Sequence, residues 1–370
     1  MSKKILILNW RDVKNPKCGG GDILIHRIAR HLAQMGNDIV LLCSKFSNAK
    51  NIEMVDGVKI IRKGSEYILP ITGFLFLQNS KEKPDLIIEV INVIPWLVPL
   101  YSKINQISFI HQTQTQELKK GRQSSLSMEF NFLVRAVVLF LEKLVPVFYK
   151  KNNFVTVSNS IKNDISSLGI DKERIEVIEP GIDKIEVVEQ IKKTPNPTIL
   201  YLGRLKKYKG VHYLLESVRE IRKSIPDVEL KIIGKGEYES ELRKIVTNYN
   251  LESNVKFLGY VSEKEKNVII QSSWFLVIAS LNEGWGMPVI EAGALGIPTV
   301  AFANGGLNDS IKNNVTGLLV ESENIAELTK KITLLIKDDE LRNRLGENAK
   351  NYSSQFLWSN QLEKWSKIIE

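Results

Sequence analysis

Two glutamates eight positions apart, Glu283 and Glu291, bracket the glycine-bearing stretch Gly284-Trp285-Gly286-Met287-Pro288. The apolar run 274–279 precedes them, and a helix-forming segment, 289–295, follows. That order implies a buried strand, a loop, and then a helix with Glu291 in its first turn. Pro288 suits the first helical position, where its missing N–H costs nothing. The glycines let backbone approach a ligand closely, and the free N–H groups of the helix start form an anion site. Carboxylates accept hydrogen bonds from sugar hydroxyls, so an anion site between two of them suits a sugar nucleotide.

Cations that could meet its diphosphate lie earlier in the chain. Arg204, within Gly203-Arg204-Leu205, follows the apolar run 198–202, and Lys209-Gly210 comes five residues later, opening the next helix. At the carboxyl end of a parallel strand, Arg can grip phosphate with two hydrogen bonds, while Lys acts as a mobile point charge. Fixed cations stabilise a departing nucleoside diphosphate without a metal. Alone, the pair reads equally as surface cations flanking Lys206 and Lys207; beside the Glu283–Glu291 loop it reads as a site. Gly234-Lys235-Gly236 resembles part of a dinucleotide fingerprint, but Glu239 stands where the third glycine belongs. A turn lining the nucleotide site is therefore the better reading than a nicotinamide site.

Two further groups could contribute. Cys18-Gly19-Gly20-Gly21-Asp22 falls between the first strand and first helix, where the N–H groups of Gly20 and Gly21 can approach a phosphate or an acceptor. Its plainer reading is a flexible turn. His111 ends the strand 107–110 and is followed by Gln112-Thr113, which suggests a lined pocket; the alternative is a histidine making a structural hydrogen bond. Asn304-Gly305-Gly306 is either a ligand loop or only a turn. With four histidines, none spaced as metal ligands, and no Asp-X-Asp, no metal is expected. Phosphate-loop and nucleophile-elbow patterns are missing as well.

Positioning these groups falls to a sustained alternation of short apolar strands and helical segments. Strands are predicted at 4–9, 38–43, 59–62, 86–91, 108–111, 154–158 and 176–178, with helices at 23–35, somewhere within 127–149, and at 160–168. Near-continuous apolar strands imply a parallel sheet covered on both faces. At 184–197 the pattern lapses into charged residues ending in Thr-Pro-Asn-Pro, a linker signature. Strands then resume at 198–202, 229–233, 255–258, 275–278, 299–302 and 317–320, with helices between them to about 351. The tail carries Trp358, Leu362 and Trp365 at helical spacing. The fold class is therefore α/β, with two Rossmann-like doubly wound domains facing across a cleft, and ligands expected at the strands' carboxyl ends.

Bulk properties agree with that reading. A chain of 370 residues suffices for two domains, and 43% hydrophobic with 25% charged residues is an ordinary globular composition. Two cysteines fit a reducing cytosol, and the apolar run after Met-Ser-Lys-Lys is too short for a signal peptide, so a cytoplasmic protein is expected. No run reaches the roughly 20 uncharged apolar residues of a membrane span. The net charge of +9 sits mainly in residues 1–186, where 26 Lys+Arg face 19 Asp+Glu. Such a surface is either a solvated lysine-rich face or one that meets nucleic acid, anionic membrane or phosphorylated substrate.

These residues together resemble the glycosyltransferase group 1 superfamily, also called family 4 of the retaining glycosyltransferases. The resemblance rests on Glu283 and Glu291 in Glu-Gly-Trp-Gly-Met-Pro-Val-Ile-Glu, on Gly203-Arg204-Leu205 with Lys209-Gly210, and on Gly234-Lys235-Gly236. Val157-Ser158-Asn159-Ser160, Glu179-Pro180-Gly181-Ile182-Asp183, Gly305-Gly306 and Phe356-Leu357-Trp358 extend it over almost the whole chain. It implies a GT-B fold: an acceptor-binding domain over 1–186, a sugar-nucleotide domain over 187–352, and a final helix, 353–370, returning to the first domain. By the same resemblance Arg204 and Lys209 bind the diphosphate and Glu291 the ribose hydroxyls. Glu283 and the backbone of Gly286 and Met287, ahead of Pro288, meet the donor sugar. His111 corresponds to a histidine near the reacting sugar, the Gly20-Gly21 loop lies beside the phosphates, and Gly234 lines the donor site. The implied reaction retains anomeric configuration and needs neither metal nor cofactor. The sequence departs from the family pattern at Lys151-Asn152-Asn153 and at Glu179-Pro180-Gly181, away from the donor motifs.

The function expected is transfer of a hexose-type sugar from a UDP-, GDP- or ADP-sugar to a hydroxyl acceptor, either a glycan, a lipid-linked molecule or a small one. A sugar-nucleotide epimerase, a sugar-phosphate synthase and a non-catalytic partner subunit share the fold and stand as alternatives; four charges kept at one place argue against the last. Nucleic acid is not an expected partner. Apolar segments at 68–77 and 132–149 within the basic half suggest peripheral contact with anionic membrane, or else buried helices.

Overall fold

The computed structural model describes residues 2–92, 95–113, 132–185 and 191–369, with backbone alone for 132–139. The chain divides into two compact units, Met1–Pro180 with Gln361–Glu370, and Gly181–Asn360.

The first unit runs β1 (Lys4–Leu8), α1 (Gly20–Gln34), β2 (Asp38–Cys43), β3 (Ile52–Val55), β4 (Val58–Arg62), α2 (Leu69–Asn79), β5 (Leu86–Ile91), β6 (Asn105–Ile110), α3 (Phe132–Phe148), β7 (Asn153–Thr156), α4 (Asn159–Ser167) and β8 (Ile175–Val177). Among the described residues its eight strands lie in the order β3-β4-β2-β1-β5-β6-β7-β8. All pairs are parallel except β3 with β4. Of that antiparallel pair β4 matches the strand predicted at 59–62 and β3 is missing from the predicted strands; the two form a hairpin closed by Asp56 and Gly57 at φ 51° and 81°. An Asp-Gly pair with both residues left-handed matches the right-handed twist of the strands it joins.

The second unit runs β9 (Thr198–Leu202), α5 (Val211–Ile221), β10 (Glu229–Ile233), α6 (Glu239–Asn248), β11 (Val255–Gly259), α7 (Glu263–Ser272), β12 (Phe275–Ile278), α8 (Met287–Ala294), β13 (Thr299–Phe302), α9 (Leu307–Ser310), β14 (Gly317–Val320), α10 (Ile325–Lys337), α11 (Asp339–Ser353) and α12 (Trp358–Ile369). Trp358–Asn360 belong to this unit, whereas α12 from Gln361 on clusters with the first. The six strands among the described residues, all parallel, are ordered β11-β10-β9-β12-β13-β14. Period two along β9 explains the apolar run: Ile199 and Tyr201 enter the core beneath α5 and α10, and Leu200 the core beneath α7 and α8. Both faces are buried, so the strand is apolar from Ile199 to Leu202.

Several boundaries shift for local reasons. The first helix begins at Gly20, three residues early, because the Asp22 carboxylate folds back to accept from the Gly19 N–H at 2.9 Å. Pro288 is the second rather than the first helical residue, and Glu291 opens the second turn of α8. Part of the expected linker packs on the second unit: the Trp274 indole donates to Thr194 O at 2.9 Å, and Lys193 Nζ donates to Ser273 O at 2.6 Å. The N-terminal part of the helix predicted within 127–149 lies outside the described residues.

Candidate active site

In an open parallel sheet, ligands bind beyond the carboxyl ends of the strands where the strand order reverses. In the second unit that point lies between β9 and β12, and the segments leaving those two strands carry Lys209 and Glu283. After β9 the chain passes Gly203-Arg204-Leu205 and makes a short 3-10 turn, Lys207–Lys209. Gly210, at φ 70°, then caps α5; a Cβ there would fall 1.8 Å from the Ala279 carbonyl oxygen, so only glycine lets this turn settle on the end of β12. Leu281 N–H donates to Tyr208 O at 2.8 Å and completes the join. The result brings Lys209 Nζ to 2.6 Å from Glu283 Oε1, with 14% and 16% of the two side chains exposed. Burial is the largest influence and works to lower the Lys209 pKa, but the Glu283 charge, the nearby Tyr208 and the hydrogen bond to Glu283 together outweigh it, and the net shift is upward. Arg204, two residues beyond β9, is exposed and forms no ion pair among the described residues.

Backbone crossings explain two glycine pairs. A Cβ on Gly234 would lie 1.9 Å from Gly203 O, and one on Gly236 would lie 2.2 Å from Leu205 O. Gly234-Lys235-Gly236 therefore backs the Arg204 loop, and Leu205 N–H donates to Lys235 O at 3.0 Å. Gly305 and Gly306 do the same for the glutamate loop. Gly306 N–H donates to Glu283 O at 2.7 Å, and a Cβ on Gly306 would sit 2.1 Å from Gly284 O. Trp285 is buried against Phe356, ring centroids 5.0 Å apart, which anchors the same loop to the segment before α12. Ile182 and Phe356–Trp358 are tied in turn, Ile182 N–H donating to Phe356 O at 2.7 Å.

Gly286, at φ 97°, starts α8, followed by Met287 and Pro288. Val289 N–H is already taken by Gly286 O at 2.9 Å, which leaves the N–H of Met287 as the helical donor nearest the loop. Glu291, one turn on, has its Oε1 3.1 Å from Lys266 Nζ of α7. Nothing in the spacing of either residue announces that pairing.

The first unit holds the remaining candidates. Its strand order reverses between β1 and β5, where Asn92 donates to Asn9 Oδ1 at 3.2 Å and Asn9 donates to Asp22 Oδ1 at 3.2 Å. Asn9 was not among the candidates; a polar residue ending the apolar run Ile5–Leu8 was the available signal. His111 leaves β6, with its Nε2 buried and without a hydrogen-bond partner among the described residues. A Cβ on Gly21 would lie 3.4 Å from that nitrogen, so the start of α1 and the imidazole are neighbours, whereas a Cβ on Gly20 would meet open space. Beneath His111 lie Phe109, 4.4 Å away between centroids, and then Trp365 of α12, 5.3 Å from Phe109. Burial pushes the His111 pKa down to about 4, so the imidazole is neutral at ordinary pH. Among the described residues, no group of three His, Cys, Asp or Glu side chains could hold a metal ion, and no helix is long and apolar enough to cross a membrane.

Comparison with known proteins connects this geometry to a family. Residues 183–352 match the family Glycosyl transferases group 1, and residues 18–185 match Glycosyltransferase Family 4. The chain belongs to the group 1 glycosyltransferases. A relative from Methanocaldococcus jannaschii, described as an uncharacterized glycosyltransferase, is 34% identical over 171 residues, covering 46% of this chain and 47% of the relative. The matched stretch thus spans about half the length of the curated relatives it matches first. Among solved structures, sucrose-phosphate synthase from Thermosynechococcus elongatus superposes with TM-score 0.81 at 19% identity, covering 99% of this chain and 98% of the other. HepE of Anabaena, solved in complex with UDP-glucose, gives TM-score 0.72 at 19% identity and 99% coverage of both chains. At that identity the superpositions speak to fold, and the two parallel-sheet units of this family member are the GT-B fold.

Proposed function

We propose that the protein is a retaining glycosyltransferase that moves a sugar from a nucleoside-diphosphate sugar to a hydroxyl acceptor without a metal ion. The observation that carries this reading is the Lys209–Glu283 pair at the β9/β12 reversal, next to the exposed Arg204. Two cations there suit a diphosphate, and a carboxylate in contact with one of them suits a sugar held against that diphosphate. On this reading Arg204 and Lys209 bind the diphosphate, Glu283 and the Met287 N–H hold the donor sugar, and Glu291 accepts from the ribose hydroxyls. Gly234 and Gly286 shape the backbone around them. In the first unit, neutral His111 is offered to the reacting sugar, and the N–H groups of Gly20 and Gly21 to a phosphate or the acceptor. A neutral imidazole can donate or accept a hydrogen bond without adding a charge.

The step follows from those roles. The bond from the anomeric carbon to the diphosphate oxygen breaks, Arg204 and Lys209 stabilising the charge that develops on that oxygen. The acceptor hydroxyl attacks the same face, and its proton passes to the departing diphosphate oxygen. No enzyme carboxylate bonds to the sugar, so no glycosyl-enzyme adduct forms. The test is a melting-temperature screen with UDP-, GDP- and ADP-sugars, since a ligand that binds only the folded state raises apparent stability by mass action. One donor should raise the melting temperature and release its nucleoside diphosphate slowly in water. Silence of all three with no release would overturn the reading, and an adduct trapped on any carboxylate would overturn the mechanism. HepE of Anabaena, solved with UDP-glucose, makes a UDP-sugar the first donor to try.

For the acceptor side we extend the proposal to peripheral contact with anionic membrane. Helix α2 buries Leu69, Thr72, Gly73 and Leu77 but leaves Ile71, Phe74 and Leu75 at 58%, 40% and 45% exposure on another face. Co-sedimentation with anionic vesicles, weakening as salt rises, is expected. No co-sedimentation at low salt would remove this extension.

A further inference from the structure

Helices α7 and α8 pack through one apolar cluster that holds Ile270 from the first and Val289 and Ala292 from the second. Lys266, one turn before Ile270 on α7, therefore points along the face that meets α8. Its Nζ lies 3.1 Å from Glu291 Oε1 and 2.8 Å from Glu263 Oε2. The Lys266 side chain is 12% exposed and that of Glu291 21%, whereas Glu263 is 82% exposed. Ser262 caps α7, accepting from Glu265 N–H while the Glu265 carboxylate accepts from Ser262 N–H, so the turn that carries Lys266 is fixed at its start. The ammonium thus links a fixed helix start to one oxygen of Glu291.

A glutamate that reads a vicinal diol must be ionised and must hold one rotamer, and ordering a free glutamate side chain has an entropic cost. A carboxylate has about four acceptor positions, so an ammonium on one oxygen is compatible with hydroxyl donors on the same group. We infer that Lys266 is a positioning residue: it holds the Glu291 carboxylate oriented so that the site distinguishes a ribose from a deoxyribose. This rests on the proposed role of Glu291 toward the ribose.

The experiment measures Kd for the nucleoside diphosphate that gives the largest melting shift among UDP, GDP and ADP, and for its 2′-deoxy and 3′-deoxy forms. Wild type should prefer the ribose form by roughly tenfold or more, the size of a hydrogen bond to a charged group. Glu291→Ala should bring that preference to about one. Lys266→Met, which keeps the apolar stem, should lower the preference at least threefold, and Lys266→Arg should restore most of it. A simple staple between helices would instead lower the melting temperature of Lys266→Met and leave the preference intact, and that result overturns the inference while leaving the Glu291 reading in place. If Glu291→Ala keeps the wild-type preference, the Glu291 reading falls and the inference with it. Absence of binding by all three diphosphates overturns both.

Discussion

Removing the charge of Glu283 while keeping its shape probes the centre of the proposed site. Lys209 Nζ and Glu283 Oε1 are 2.6 Å apart and mostly shielded from solvent. At an effective dielectric of about 20, two unit charges at that distance attract by roughly 6 kcal/mol before desolvation and side-chain ordering are subtracted. What survives in a hydrogen bond between charged groups is about 1.5–3 kcal/mol. A diphosphate that takes Lys209 has to compete with Glu283 for it. Glu283→Gln keeps an acceptor oxygen but gives up roughly half of that net attraction, about 1 kcal/mol. Each 1.4 kcal/mol is a factor of ten, so the nucleoside diphosphate should bind about three- to tenfold more tightly to the variant. Transfer should slow by a hundredfold or more, because the sugar loses its carboxylate partner. Calorimetric titration at fixed salt gives the first number and single-turnover rates the second. A variant that binds the diphosphate tenfold more weakly would show that Glu283 does not compete for Lys209; an unchanged transfer rate would show that it does not meet the sugar. Glu291→Ala is the contrast, since it should weaken nucleotide binding itself.

Two buried groups of the first unit titrate in opposite senses. Glu89 in β5 is fully buried, accepts from the Tyr149 hydroxyl at 2.5 Å and from Trp96 N–H at 2.7 Å, and burial pushes its pKa up to about 7. Its contribution is complete below the unfolded pKa near 4.5 and is lost as pH rises to 7, a range of roughly 3 kcal/mol. His111, lowered to about 4, contributes fully above its unfolded pKa near 6.5 and loses that contribution as pH falls toward 4. Glu89→Gln should therefore gain stability relative to wild type by about 1.4 kcal/mol per pH unit between 4.5 and 7 in urea titrations; a difference that does not vary with pH refutes this. Because His111 stays neutral, kcat/KM should show no acid limb near 6.5 from this residue, and a limb there that disappears in His111→Gln would contradict its burial. Gly306→Ala should lower both melting temperature and transfer, since its methyl would meet Gly284 O at 2.1 Å, whereas Gly20→Ala should leave the melting temperature within a degree or two. Equal melting temperatures for the two variants would count against this account of the loop.

What the sequence disclosed follows from how far apart the deciding contacts are along the chain. Strands β9 and β12 were legible because a strand buried on both faces is apolar along nearly its whole length. Glycines were legible as glycines, but not for their reason: Gly234 is required by Gly203 O and Gly306 by Gly284 O, close backbone approaches that no local pattern reports. The β3–β4 hairpin could have been read from Asp56-Gly57, a signal confined to neighbouring residues. Lys209 and Glu283 could be nominated separately, yet their contact depends on Gly210 lying against Ala279 O, that is, on sheet order. Lys266 was beyond reach, for a lysine on a charged helix start looks like any solvated lysine until the helix carrying Glu291 is packed beside it. Glu89 was beyond reach in the same way, since a glutamate inside an apolar run gives no sign that a tyrosine sixty residues later will donate to it. Residue type and spacing thus name the groups able to do chemistry, while the order of strands in the sheet decides which of them meet; in the second unit that order brings a lysine and a glutamate seventy-four residues apart to the point where the strand order reverses.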